Sequence, residues 1–231
     1  MYCKHLTGKF LKTELSPADF QKTLLTYDDL VLGRRRRDKA IVAMTVFGAE
    51  IDVVDGKQYN LLRIGLAFVD EEYQSGIFFP VVTAYASLRE LLLHPDIPLY
   101  NVAKCFTYKS YLGAMRQDRA YPRYNKVTPD WERKIIIKYG KRYETETAKF
   151  CEETFVVKRQ HTKVQDNIAD ISHKHMANPH IKFYCSQNPG WTKGHSLITI
   201  ALCTWNDVGE SFKKAVTRSQ YQQSSLLRSH L

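Results

Sequence analysis

The sequence predicts an α+β fold: one domain on a mainly antiparallel sheet, with a long N-terminal β-hairpin and packed helices. Three observations predict it. Segments 40–54 and 58–69 alternate in polarity around Asp55-Gly56, a turn pair in which Gly accepts positive φ. Ser196–Trp205 is almost wholly apolar or small, as in a strand buried on both faces. Helical patterns are interleaved with these strands, without internal repeat or low-complexity linker. Residues 1–218 are therefore read as one domain and 219–231, rich in Ser and Gln, as a flexible tail.

Each element follows from local chemistry. Ser16-Pro17-Ala18-Asp19 starts a helix, with Ser as N-cap, Pro at the first helical position and an acid in the first turn. Phe20, Leu24 and Leu25 share its face. A short helix is predicted over Asp28–Leu32, stopped by Gly33. The hairpin arms are long, which predicts a bulge near Gly48 or Gly65. Glu71–Gly76 reads as a loop and Val81–His94 as a helix, with Ala84, Leu88, Leu91 and Leu92 on one face before Pro95. Asn101–Gln117 reads as a second helix, and 118–131, with Pro122 and Pro129, as an irregular loop. Strands are predicted at Lys134–Tyr139, Tyr143–Lys149, Thr154–Arg159 and Ile181–Ser186, with a helix at Val164–Met176. Asp207–Glu210 has capping-box spacing, and Phe212, Ala215 and Val216 continue a C-terminal helix.

Composition narrows the class. The 231 residues are 44% hydrophobic, with 14 Tyr and 11 Phe, too apolar for a disordered chain. No run approaches the roughly 20 apolar residues of a membrane span. Met1-Tyr2-Cys3-Lys4-His5 shows no secretory signal, and five scattered Cys point to a reducing compartment, cytoplasmic or nuclear. The net charge of +10 is uneven. Residues 34–39 carry +4, 40–103 carry −5, 104–142 carry +8, 143–231 carry +3, and 1–33 balance. Such concentration predicts a defined charged surface.

Two segments become candidate sites. The first is the Arg34, Arg35, Arg36, Arg37 run, a pattern shared by nuclear-import signals and by contacts to phosphate or anionic lipid. The second is the basic and aromatic segment 104–142. There Lys109, Arg116, Arg119, Arg123, Lys126, Arg133 and Lys134 are interleaved with Tyr121, Tyr124 and Trp131. Cations neutralise phosphates, and aromatic rings stack on bases at about 1–3 kcal/mol each. The same residues also read as core aromatics beside a solvated basic face. His161, His173, His175, His180, Cys185 and His195 cluster near the C-terminus, but without a metal-ligand spacing, so no metal site and no cofactor are assigned. Pro129-Asp130 followed by Glu132-Arg133-Lys134 spells a metal-nuclease pattern, yet two acids two residues apart lack the separate strand that chemistry needs. No Walker loop, dinucleotide fingerprint or nucleophile elbow occurs.

The layout is similar to that of small viral matrix, movement or nucleic-acid-binding accessory proteins, single basic domains of about this size in host cytoplasm or nucleus. That resemblance, one of composition, implies a non-enzymatic binding or assembly protein, homo-oligomeric. Its partner would be nucleic acid, RNA ahead of DNA, or an anionic membrane, and it would have no small-molecule substrate. The alternatives are a metal-dependent nuclease or zinc-binding protein, and a protein–protein adaptor whose aromatics anchor an interface.

Overall fold

The computed structural model describes residues 16–73, 78–159 and 170–228. It is mixed α/β, with a mainly antiparallel eight-stranded sheet between two groups of helices. The strands are β1 (Asp29–Arg34), β2 (Ile41–Val54), β3 (Lys57–Val69), β4 (Leu99–Cys105), β5 (Ala120–Tyr121), β6 (Ala148–Cys151), β7 (Val156–Arg159) and β8 (Ser196–Cys203). The helices are α1 (Pro17–Leu24), α2 (Phe78–Leu93), α3 (Tyr108–Ala114), α4 (Asp130–Lys141), α5 (Pro179–Gln187) and α6 (Trp205–Arg228). The spatial order is β1-β2-β3-β4-β8-β7-β6, with β5 paired to β8.

The predicted hairpin is β2–β3. Its register runs from Val54↔Lys57 to Ala43↔Val69, and its turn residues Asp55 and Gly56 both take positive φ. The predicted bulge falls next to Gly65. Val46 faces Gly65 and Met44 faces Phe68, so one residue, Thr45, opposes two, Leu66 and Ala67. Leu66 has φ 42°, a left-handed conformation that costs a branched residue about 1–2 kcal/mol.

Alternation along β3 separates two cores. Tyr59 and Leu61 meet Ile135, Ile136 and Tyr139 of α4 on one face. Leu62 and Ile64 meet Ala84, Ala86 and Leu91 of α2, and Val208 of α6, on the other. The buried strand at 196–203 lies centrally, between β4 on one side and β5 with β7 on the other.

Several predicted elements differ. Asp28–Leu32 is not helical; β1 starts at Asp29, because Val31 and Leu32 pack beside β2 once the hairpin offers an edge. Residues 101–105 belong to β4, and only 108–114 form a helix. Lys134–Tyr139 and Ile181–Ser186 are helical. Asn178 caps α5 through its side chain, accepting from the His180 N–H at 2.9 Å, with Pro179 opening the helix. The strand expected at Tyr143–Lys149 begins only at Ala148. The capping pair of α6 is Thr204 with Asp207, three residues before the predicted Asp207–Glu210. That helix runs to Arg228, beyond residue 219 where the tail was expected. His161 and the first part of the 164–176 helix lie outside the described residues, as do residues 1–5 and 229–231.

Candidate active site

β3 and β4 are the one parallel pair among the described strands, and their pairing ends at Ile64↔Ala103. Beyond that point β3 continues with β2 alone, through Val69, and β4 continues with β8 alone, through Cys105. The two central strands therefore part toward their C-terminal ends. Leu66 sets the bulge that keeps β3 on its own course. Ala67 is exposed although its strand lies in mid-sheet, as expected beside an opening. Parallel strands that separate at a switch in sheet direction make a ligand crevice outside their carboxyl ends. Bulges gather at such sites.

The α4 side of this crevice is aromatic and basic. Tyr27 lies over Gly65, the first β3 residue past the pairing; a Cβ there would sit 2.2 Å from the Tyr27 hydroxyl. Arg63, on the same face two residues earlier, lies across Gly48, where a Cβ would meet its Nη2 at 2.6 Å. Its guanidinium is 5.4 Å from the Tyr27 ring centroid. Lys104, the first β4 residue past the pairing, places Nζ 3.8 Å from the Tyr143 ring centroid. The Tyr143 and Tyr139 hydroxyls are 2.5 Å apart. Burial, then the neighbouring Tyr143, pushes the Tyr139 phenol well above its ordinary range, so it stays protonated at neutral pH. This face thus carries Arg63, Lys104 and a hydrogen-bonded phenol pair close to the point where the β3–β4 pairing ends.

None of this was read from the sequence. Arg63 alternates with apolar Leu62 and Ile64 and precedes Gly65, and Tyr139 and Tyr143 are four apart; both patterns were visible signals. The register that joins them was not.

The residues of the predicted polyanion surface are divided between contacts within the fold and the exposed face. Part of the second segment is engaged by neighbouring groups. Lys134 pairs with Asp55, Lys138 with Asp52 at 2.6 Å, and Arg142 with Glu50 and with Asp52 at 2.6 Å. The bases of α4 and its C-terminal end thus meet Glu50, Asp52 and Asp55, the three acids of the hairpin they cross. Arg123 donates to the carbonyls of Asp118 and Met115 at 2.9 and 2.5 Å, and Lys126 to that of Asp118 at 3.0 Å. Arg133 donates to the Glu152 carbonyl at 3.2 Å and lies over Phe155. Tyr121 is buried in β5, and Trp131 is half-buried with its edge toward Tyr59 at 6.3 Å. Tyr124 is exposed but set against His180 at 4.7 Å. Lys109, Arg116 and Arg119 remain exposed near α3. In the Arg run, Arg35 grips Asp38 through two bonds of 2.9 and 2.5 Å, leaving Arg34, Arg36 and Arg37 outward. That grip holds the Asp38 carboxyl at about 2.

The nuclease pattern is likewise dispersed. Asp130 is exposed, Glu132 is buried and accepts from the Tyr100 hydroxyl at 3.3 Å, and Lys134 is bound to Asp55. All three lie on α4 rather than on converging strands. No group of three or more His, Cys, Asp or Glu among the described residues is placed to hold a metal. His175 rests against Tyr108, His180 against Tyr124, and the His195 ring against Gly190. Among the described residues, no helix is long and apolar enough to cross a membrane.

No protein-family model matches the sequence, and no curated protein matches it. A solved structure described as "Crystal structure of a putative phosphinothricin N-acetyltransferase" is similar over 52% of this chain and 73% of its own, at 13% identity and a TM-score of 0.31. Its description is that of an enzyme, against the expectation of a non-enzymatic binding protein with no enzymatic role. A likeness so distant carries no argument about this chain's reaction. The expectation of a non-enzymatic binding protein stands corrected by that description and is not carried further; of the basic segment, Lys134, Lys138 and Arg142 are paired with carboxylates of the hairpin, while Lys109, Arg116 and Arg119 stay exposed.

Proposed function

We propose that the chain is an acyltransferase that takes an acyl group from a thioester carrier of the coenzyme A type and gives it to an amine. The observation that carries this reading is the parting of β3 and β4 after Ile64↔Ala103. A slot between two strand edges suits an extended chain that carries amides, because such a chain adds to the edges as a strand would. The pantetheine arm of the carrier is that kind of chain. A bulge at Leu66 and an exposed Ala67 in mid-sheet support an opening there rather than a closed seam.

The carrier, when bound, supplies an acyl thioester. The acceptor nitrogen attacks the thioester carbonyl carbon; the C–N bond forms, the C–S bond breaks, and the sulfur leaves with the bonding pair. The amine must lose a proton and the sulfur must gain one. Tyr143, beside Lys104 at the crevice, with Tyr139 behind it at 2.5 Å, is the pair suited to hand that proton on. Lys104 adds positive charge where the thiolate develops. Cys105, Cys151, Cys185 and Cys203 are free thiols, which supports a reducing compartment such as the cytoplasm.

Calorimetric titration of the purified chain with acetyl-coenzyme A tests the reading. Saturable binding near one carrier per chain is expected. An extended peptide that binds in its place, or no heat at millimolar carrier, would refute it.

A further inference from the structure

The side of the crevice facing α4 holds a charge that the fold itself does not answer. Arg63 sits on β3, one residue before the last pair with β4. Its Nε is buried and has no hydrogen-bond partner among the described residues, and its guanidinium enters no ion pair there. Every other arginine on this face is engaged: Arg142 has Glu50 and Asp52, and Arg133 has the Glu152 carbonyl. The Asp28 carboxylate, which like Arg63 lies against Gly48, is turned to the Ala49 N–H, from which it accepts at 2.8 Å.

A guanidinium carries five N–H donors, and leaving a buried one unpaired is costly. The fold nevertheless makes room for it. Gly48 lets the guanidinium lie across β2, since any Cβ there would strike Nη2. Gly65 lets Tyr27 close over the next position of β3 and present its ring to Arg63 at 5.4 Å. Two glycines at close approach and a ring over one face fix a cation without pairing it. A positioned but unpaired arginine is a receptor for a planar oxyanion, which its fork binds bidentately.

We infer that Arg63 binds the carboxylate of the acceptor, so that the acceptor class is a carboxylate-bearing amine, an amino acid or close relative. The inference rests on the acyl-transfer reading for the amine half of the acceptor, but not for the carboxylate half. Arg63 precedes the parting, while Lys104 and Tyr143 flank it. A molecule anchored by its carboxylate at Arg63 therefore reaches toward the crevice with its other end. Simple amines without an anionic group lack that anchor.

The test uses the full chain and two readouts. Calorimetry without carrier measures binding of the common α-amino acids and, for each that binds, of the amine left when its carboxylate is removed. Release of free thiol from acetyl-coenzyme A measures transfer to the same compounds. At least one amino acid is expected to bind saturably, and its decarboxylated partner about 50-fold more weakly or worse. Arg63→Gln should weaken the amino acid to the level of its amine and leave the amine unchanged. Arg63→Lys should recover part of the difference. Because the guanidinium is unpaired in the free protein, Arg63→Gln should also leave the melting temperature unchanged or raise it. A fall in melting temperature with no loss of amino-acid binding would make Arg63 structural and overturn the inference.

If Arg63→Gln does not fold, the comparison of each amino acid with its amine on the native chain decides alone. Equal binding of the two, no binding of any amino acid, or a site that takes inorganic phosphate and no amino acid would each overturn it. The two readings fail separately. Carrier binding without carboxylate dependence sinks the Arg63 assignment alone. Carboxylate binding that depends on Arg63, in a chain that takes no carrier, sinks the acyl-transfer reading alone.

Discussion

Gly140→Ala and Gly209→Ala make the same chemical change on two helices and should move stability in opposite directions. Gly140 is buried in α4, and a Cβ built there would lie 2.3, 2.4 and 2.6 Å from Cζ, Cε2 and Cε1 of Phe150. Carbon contacts are comfortable at about 3.5–4.0 Å, so the overlap is about 1 Å or more at three ring atoms at once. Phe150, only 9% exposed on β6, sits within the core and has little room to retreat. Overpacking of this kind costs about 1–3 kcal/mol. The better helix propensity of Ala returns about 0.5–1 kcal/mol, so Gly140→Ala should lose about 1–2 kcal/mol net. Gly209, exposed on α6, has nothing within 4 Å of its Cβ position and should gain the propensity term alone. For a chain of this length about 2–4 °C accompanies each kcal/mol. Thermal melts should therefore show Gly140→Ala lower by about 2–8 °C and Gly209→Ala higher by about 1–4 °C. Adding Phe150→Leu to Gly140→Ala should recover part of the loss through positive coupling. Two shifts of the same sign would show that α4 does not press on β6 as described.

Two further outcomes follow from electrostatics. Asp52 is held below its ordinary range: burial alone would raise it, but hydrogen bonds from Lys138, the Val53 N–H and the Tyr59 hydroxyl outweigh that. A depressed carboxyl contributes stability above its unfolded value and loses it as pH falls through the folded one. Asp52→Asn should thus cost about 1–2 kcal/mol in urea unfolding at pH 7, and the gap to the parent should shrink below about pH 4. Among Cys105, Cys151, Cys185 and Cys203, alkylation followed by mass spectrometry should find Cys151 first and Cys105 last. Hydrogen bonds from Thr154 lower the Cys151 thiol, whereas burial pushes Cys105 up to about 11.

The elements legible in the sequence were those whose signal is local. Asp55-Gly56 dictates its turn, and the apolar run of β8 follows from burial on both faces. The α4 helix was misread because Ile135-Ile136-Ile137 is a β-branched run with strand propensity. Its ends said otherwise: Asp130 and Glu132 stand in the first turn and Lys138 and Lys141 in the last, as the helix dipole favours. Likewise Asn178-Pro179 announced α5, against the strand propensity of Phe183-Tyr184. The charge blocks were legible but their partners were not. A count places +8 beside −5 along the chain without saying that α4 lies across the hairpin. The crevice was least legible of all, because it depends on where a parallel register ends between strands some forty residues apart.

The most direct measurement is amide hydrogen exchange on the full chain with and without saturating acetyl-coenzyme A. New protection is expected at 65–67 of β3 and at 104–107 around the end of β4, the edges left open beyond Ile64↔Ala103. Protection confined to other segments, such as α4 against the hairpin, or none at any segment, would contradict it.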